Sequence, residues 1–191
     1  MKTMFLPHKM VYDGTQLHGL FSYQISRGIA EDSLIAFLGE ASVREGLIDY
    51  EDKLNDDFIY AKEMLHFILT IHGSDLTRAR LWQLLLVQHT LDELQLRVSG
   101  DTLLCREGDD IYVLPPGVDK LKLTVSIATV SSNQKELVHL AVNVDDTGAP
   151  VPTSSLSKLN INPQAFALGV MNKFEKEYSG VRKTLYKVTG V

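Results

Sequence analysis

Between residues 102 and 145 the chain alternates apolar and polar side chains with a period of two, broken at Glu107-Gly108-Asp109, Pro115-Pro116-Gly117 and Ser131-Ser132-Asn133. Successive side chains of an extended strand point to opposite faces, so such a run predicts strands with one buried face. The breaks are rich in Gly, Pro, Asn, Asp and Ser, the residues that turn a chain. An antiparallel meander is therefore expected over this stretch. Its apolar face must be covered by something, and the sequence supplies two amphipathic helices that suit the task.

The first is predicted from about Thr77 to Leu96. Leu84, Val87, Leu91, Leu94 and Val98 alternate spacings of three and four, Ser74 and Asp75 are candidate caps, and Gly100 follows the end. The second begins at Asn162-Pro163, a cap followed by proline at the first helical position; its stripe is Ala167, Val170, Met171, Phe174 and Tyr178, with Gly180 as the expected stop. Thr147 to Leu159 reads as a connector. Upstream, Met4 to Tyr12 and Ser33 to Leu38 read as strands flanking a helical stretch from Thr15 to Gly28, which suggests a β-α-β unit. Phe58, Ala61, Leu65, Ile68 and Leu69 keep helical spacing and predict a further helix from Asp56 to His72, although the β-branched residues near its end favour extended structure. The expected class is α+β, a central antiparallel or mixed sheet backed by helices, in one domain spanning 1–191.

Charge and cysteine content narrow the function. A net charge of −5 and a pI near 5.6 leave no broad basic surface, so nucleic acid is not an expected partner. Cys105 is the only cysteine, which excludes an intramolecular disulfide framework and a Cys-rich metal site and fits a reducing compartment. No stretch approaches the roughly 20 apolar residues of a membrane span, and the first residues lack the apolar core of a signal peptide, so a cytoplasmic location without a membrane partner is expected. The edges of a meander make a homodimer a reasonable expectation.

Within Leu121 to Ala128 the odd positions are aliphatic, placing Lys122, Thr124 and Ser126 on one face; within Val138 to Val144 the same test leaves His139, Ala141 and Asn143 together. A turn centred on Asn133 and Gln134 would set Thr124 opposite Asn143 and Ala128 opposite His139, and one centred on Gly117 would set Tyr112 opposite Lys122. Asp110, Tyr112, Lys122, Thr124, Ser126, His139 and Asn143 would then share a face whose donors, acceptors and cation suit a small anionic ligand. A face meeting only water has the same pattern, so both readings stay open at this point.

Arg78 and Arg80, with Gln83 a turn later, are candidates for an anion pocket or for a solvated helix face. Asp13 and Gln16 are candidates for a cap that also offers free N–H groups to a ligand, or for a plain turn. Glu63 and His66 have the spacing of two helical metal ligands but lack the second pair such a site needs. The acidic group Asp49, Glu51, Asp52, Asp56 and Asp57 reads as a solvated loop or as a Mg²⁺ site. No metal ligand set is specified.

The run from Arg106 through Asp110 to Val113, then Lys122-Leu-Thr-Val-Ser-Ile-Ala128, then His139-Leu-Ala-Val-Asn143, resembles the core of the biotin and lipoate protein ligases. Those families carry N-D-I, then K-I-x-G-x-A, then a later strand such as H-G-x-L-L. Over nearly its whole length the chain is similar to an uncharacterised family, domain of unknown function 366. Tyr12-Asp-Gly-Thr-Gln-Leu17, Met64-Leu-His-Phe-Ile68, Gly108 to Val113 and Lys122 to Thr129 carry that similarity. The resemblance implies the fold shared by those ligases and the class II aminoacyl-tRNA synthetases. It also implies a catalytic pair, Lys122 as the cation on acyl-adenylate oxygens and Asp110 as its neighbour, with Arg106 and the polar face as ligand contacts and ATP with Mg²⁺ as cofactor. Three departures stand out. Asp109 replaces the asparagine of N-D-I, Val125 replaces a glycine after the lysine, and residues 20 to 60 contain neither R-R-x-S-G-G-G nor G-R-G-R-x-G. The implied function is binding of a nucleotide or small carboxylated metabolite, with acyl or nucleotidyl transfer, or else a binding or assembly module that has lost the adenylate loop.

Overall fold

The computed structural model describes residues 1–26, 28–43 and 59–187. Eight strands and three helices are described: β1 (Lys2–Phe5), α1 (Phe21–Ser26), β2 (Ser33–Val43), β3 (Ile59–His72), α2 (Leu76–Gln95), β4 (Leu103–Glu107), β5 (Asp110–Leu114), β6 (Leu121–Lys122), β7 (Thr124–Ser131), β8 (Lys135–Asp145) and α3 (Pro163–Leu185). The larger sheet has the order β1-β2-β3-β8-β7, with β1 parallel to β2 and every other pair antiparallel; β4, β5 and β6 form a second antiparallel sheet.

The segment expected to be a helix from Asp56 to His72 is the central strand of the larger sheet from Ile59 onward, and residues 56–58 lie outside those described. Every residue from Met64 to Ile71 is buried, because α2 and α3 cover one face and residues 6–21 the other. A strand buried on both sides has no polar alternation, so its apolar run matches helical spacing by accident. The β-α-β unit is present with shorter elements. The first strand stops at Phe5, Tyr12 returns as a single parallel bridge to Ala41, and only Phe21 to Ser26 is helical.

Both capped helices form. The Asp75 side chain accepts from the Arg78 amide and the Asn162 side chain from that of Ala165, satisfying N–H groups the first turn leaves free. The expected stripe of α3 is buried throughout. Gly180 does not end this helix, which runs one further turn to Leu185, with Arg182 and Lys183 in its last turn, where cations favour the dipole.

The meander is real but divided. At Leu123 the chain leaves the small sheet for the large one: the Leu123 amide donates to Ile111 of β5, and its carbonyl accepts from Asn143 of β8. This junction and the β7–β8 hairpin fix the faces. The hairpin is centred on Asn133, with Ser131 paired to Lys135 and Gln134 at φ 57°, so Thr124 lies opposite Val142 and Ala128 opposite Val138, one residue from the expected register. A one-residue slip exchanges the faces of a strand. Thr124 and Ser126 therefore join Leu140 and Val142 beneath α2, while Val125 and Ile127 share the other face with Ala141 and His139. Tyr112 does pair with Lys122.

Candidate functional site

Lys122 stands where the two sheets meet. Its Nζ lies 2.8 Å from Asp110 Oδ2, and the Tyr112 hydroxyl donates to the same carboxylate oxygen at 3.3 Å. Burial and the neighbouring Asp110 charge push the Tyr112 phenol up to about 12, so it stays a donor. Lys120 lies 4.4 Å above the Tyr112 ring and pairs with Glu107.

Lys122 borders a cleft of about 110 Å³. Ile59, Met64, Val125, Pro150 and Val151 give it apolar walls, and Lys122, Thr124, Asn143 and Thr153 add polar groups. The polar groups are held from behind. Thr124 Oγ1 accepts from the Ile111 amide at 2.8 Å, and Asn143 Nδ2 donates to the Ser154 carbonyl at 3.1 Å and to that of Lys122 at 3.4 Å. The 147–159 connector forms one side of the cleft by pairing with β6: Lys122 donates to the Pro152 carbonyl, and Ser154 donates to that of Lys122. A mostly apolar cleft with a few convergent polar groups is the usual form of a small-molecule site.

Of the residues singled out in the sequence, Asp110, Tyr112, Lys122, Thr124 and Asn143 come together here. The others do not. Ser126 sits on the helix side, in a network with Asp109, Gln83 and Arg80. Gln83 Nε2 donates to Ser126 Oγ at 2.6 Å and to Asp109 Oδ2 at 2.8 Å, and Arg80 donates to Asp109 Oδ1 at 2.9 Å. Burial opposes ionisation of Asp109, but the hydrogen bonds it accepts from Arg80 and Ser126 and the Arg80 charge outweigh it and hold the carboxyl below its usual range. Arg78 faces elsewhere, paired at 2.7 Å with Glu136, whose side chain is wholly buried. Arg106 reaches α2, donating to Gln88 and to the Leu84 carbonyl. Asp13 and Gln16 close a turn on themselves through Thr15, the Asp13 amide and the Val11 carbonyl, and because α1 starts at Phe21, Asp13 is not its cap.

His139 belongs to a cluster that the sequence did not reveal. It stacks on Tyr12 with ring centroids 3.7 Å apart, and its Nε2 lies 3.1 Å from His66 Nδ1; His66 Nε2 lies 3.2 Å from the Gly39 carbonyl. A carbonyl only accepts, so His66 carries its proton on Nε2 and His139 donates from Nε2 to His66 Nδ1. Desolvation pushes the His66 pKa down to about 3 and that of His139 well below its ordinary value, so both rings are neutral. Their partners are strand neighbours, which is why Glu63 and His66 cannot act as helical metal ligands. Among the described residues no group of three or more His, Cys, Asp or Glu is placed to hold a metal ion, and the acidic segment from Asp49 to Asp57 lies outside them.

A family profile described as Domain of unknown function (DUF366) matches residues 1–189. The chain belongs to this family. A protein of unknown function from Pyrococcus horikoshi is 30% identical over the whole of this chain and 98% of its own, with a TM-score of 0.87. The fold also matches solved ligases: biotin protein ligase from Aquifex aeolicus (TM-score 0.56, 12% identity, 96% of this chain and 71% of that one) and the bi-partite lipoate protein ligase from Thermoplasma acidophilum (0.52, 14%, 91% and 82%). At such identity these show that the DUF366 fold is that of the biotin and lipoate ligase catalytic domains, and nothing about activity. No curated protein matches the sequence. No helix among the described residues is long and apolar enough to cross a membrane.

Proposed function

We propose that this chain binds a small molecule with an anionic head and an apolar body, a nucleotide or a carboxylated metabolite, in the cleft beside Lys122. The observation that carries this reading is the pairing of an aliphatic-walled cleft with an oriented cation at its border. Lys122 is held by Asp110, and its side chain is about a third exposed (31%), so it can meet a ligand oxygen without leaving its partner. Asn143 is anchored to backbone carbonyls and needs no rearrangement to line the site. If acyl or nucleotidyl transfer follows binding, Lys122 is the group that stabilises charge developing on the transferred carbonyl or phosphoryl oxygen, and Asp110 is its positioning partner.

A second reading, a binding or assembly module without chemistry, is favoured by one specific observation. Residues 20 to 60 lack the glycine- and arginine-rich loop of the ligases, and Val125, where those enzymes carry glycine, occupies a wall of the cleft. Either reading needs the Lys122 cleft to bind.

Thermal unfolding against ATP with Mg²⁺, biotin, lipoate, fatty acids and amino acids, for wild type and Lys122→Ala, tests the common part. A ligand of the native state at about 100 times its Kd adds about 2.7 kcal/mol. One ligand class is expected to raise the wild-type midpoint and leave Lys122→Ala unmoved; equal shifts in both proteins, or none from the panel, would reject the site. Pyrophosphate release from ATP in the presence of the active acid separates the two readings.

A further inference from the structure

At the far end of β3 from the Lys122 cleft, a second group of side chains surrounds a cavity of about 160 Å³ between α1, the loop after it, and the β3–β8 pair. Leu20 and Ile29 give it apolar walls, and Ser22, Thr70, His72 and Lys135 give it polar ones. His72 and Lys135 are direct cross-strand partners, so their side chains emerge beside each other on one face of the sheet. Asn133, in the hairpin loop before Lys135, packs against Gly19, where an added Cβ would fall 2.1 Å from its side-chain oxygen, so the hairpin and the segment before α1 are held together here.

The histidine is oriented from behind. Asp32 Oδ1 accepts from the His72 amide at 2.8 Å and lies 2.6 Å from His72 Nδ1, while the Tyr178 hydroxyl of α3 donates to Asp32 Oδ2. Burial opposes the charge on Asp32, yet those hydrogen bonds outweigh it and hold the carboxyl ionised. An ionised carboxylate only accepts, so His72 carries a proton on Nδ1, and Nε2, which has no hydrogen-bond partner among the described residues, is left for an occupant of the cavity. A carboxylate that fixes the tautomer and rotation of an otherwise unengaged imidazole is an arrangement used where the second nitrogen meets a ligand. The Lys135 side chain likewise has no ion pair or hydrogen bond among the described residues, so its charge is open to an occupant of the cavity. Among the described residues the only other charged one lining the cavity is Glu31, which is exposed. Ser22, Ser33 and Thr70 satisfy one another beneath, with Ser22 Oγ 2.5 Å from Ser33 Oγ and 3.3 Å from Thr70 Oγ1.

We propose that this cavity is a second small-molecule site that takes a hydroxylated oxyanion, a phosphorylated or carboxylated polyol, with the oxyanion on Lys135 and a hydroxyl on His72 Nε2. The cation supplies the affinity, and the oriented imidazole distinguishes a hydroxylated anion from a bare one. It does not depend on the Lys122 cleft.

Amide NMR titrations with glycerol 3-phosphate, glycerate, inorganic phosphate and glycerol test it. Perturbations are expected around Thr70, His72 and Lys135 for the first two probes, weaker ones for inorganic phosphate, and none for glycerol. Whichever of the two hydroxylated anions binds tighter assigns phosphate or carboxylate as the head group. Lys135→Gln, which removes no side-chain hydrogen bond or ion pair among the described residues, is expected to weaken binding at least about tenfold, the size of one charge-assisted contact. His72→Gln, checked for an intact thermal transition, is expected to bind glycerol 3-phosphate no better than inorganic phosphate. Lys122→Ala should leave all of these responses unchanged. No perturbation at these residues up to about 10 mM, far weaker than a typical metabolite site, would overturn the proposal. So would wild-type binding by Lys135→Gln, or loss of the perturbations in Lys122→Ala.

Discussion

Lowering the pH from 7.5 to 5.5 is expected to remove about 3 kcal/mol of stability through two histidines alone. His66 and His139 are buried, neutral and hydrogen-bonded to each other, with folded-state pKa values pushed down by desolvation, to about 3 for His66 and well below the ordinary value for His139. In the unfolded chain both titrate near 6.5. Between those values the unfolded state binds protons that the native state refuses, so stability is intact above pH 6.5 and falls as the pH drops below it. At pH 5.5 the unfolded state gains about 1.4 kcal/mol from each histidine, from RT ln(1 + 10), and the loss continues at about 1.4 kcal/mol per pH unit and histidine until the folded pKa is reached. His89, also lowered by burial, adds to the loss with the same sign. The low-lying carboxyls Asp13, Asp32, Asp109, Asp145 and Asp146 contribute only as the pH approaches the ordinary Asp value near 4. Urea unfolding at a series of pH values measures the slope. His139→Gln should reduce it by roughly one proton, and NMR should show the wild-type His66 ring neutral at pH 5. A flat stability between pH 7.5 and 5.5, or a His66 ring that titrates near 6.5, would refute the reasoning.

Other substitutions probe single contacts. Arg78→Ala leaves the wholly buried Glu136 carboxylate with the Asp75 amide alone, and should cost about 3 kcal/mol in urea unfolding, the low end for breaking a buried pair. Asp109→Ala strips Gln83, Ser126 and Arg80 of their common acceptor and should cost about 1 to 3 kcal/mol, whereas Asp109→Asn should recover part of it. Gly39→Ala places a Cβ 1.7 Å from the Met10 carbonyl oxygen, a clash with backbone that only strand movement can relieve. A loss of at least about 1 to 3 kcal/mol is expected, and a wild-type midpoint would show that this close approach is wrong.

The parts of the fold that were legible in the sequence are those where local signals agree with burial. Asp75 and Asn162-Pro163 mark helix starts because a cap satisfies N–H groups whatever the helix packs against. Gly180 misled because a stripe as strong as that of α3 carries the helix through a single glycine. β3 was misread because burial on both faces erases the alternation that announces a strand. The site was legible in part for a related reason. Lys122 and Tyr112 face each other across a turn whose Gly117 has φ 72°, a conformation glycine adopts freely, so their register followed from the turn. Across the Asn133 hairpin the register differs by one residue from the expected one, which moves Thr124 and Ser126 to the helix side and leaves His139 with Val125 and Ile127. The junction at Leu123, where one extended run serves two sheets, has no counterpart in local pattern. Nor does the Tyr12–His66–His139 stack, whose members are brought together only by the pairing of β2, β3 and β8.

The most direct test of the Lys122 site is an amide NMR titration of wild type and Lys122→Ala with the ligand class that stabilises the native protein most. Perturbations are expected at Val125, Asn143 and Thr153, saturating in wild type and lost in Lys122→Ala, with residues at the His72 end of β3 unaffected. Perturbations that avoid those three residues, or that persist undiminished without the lysine, would contradict it.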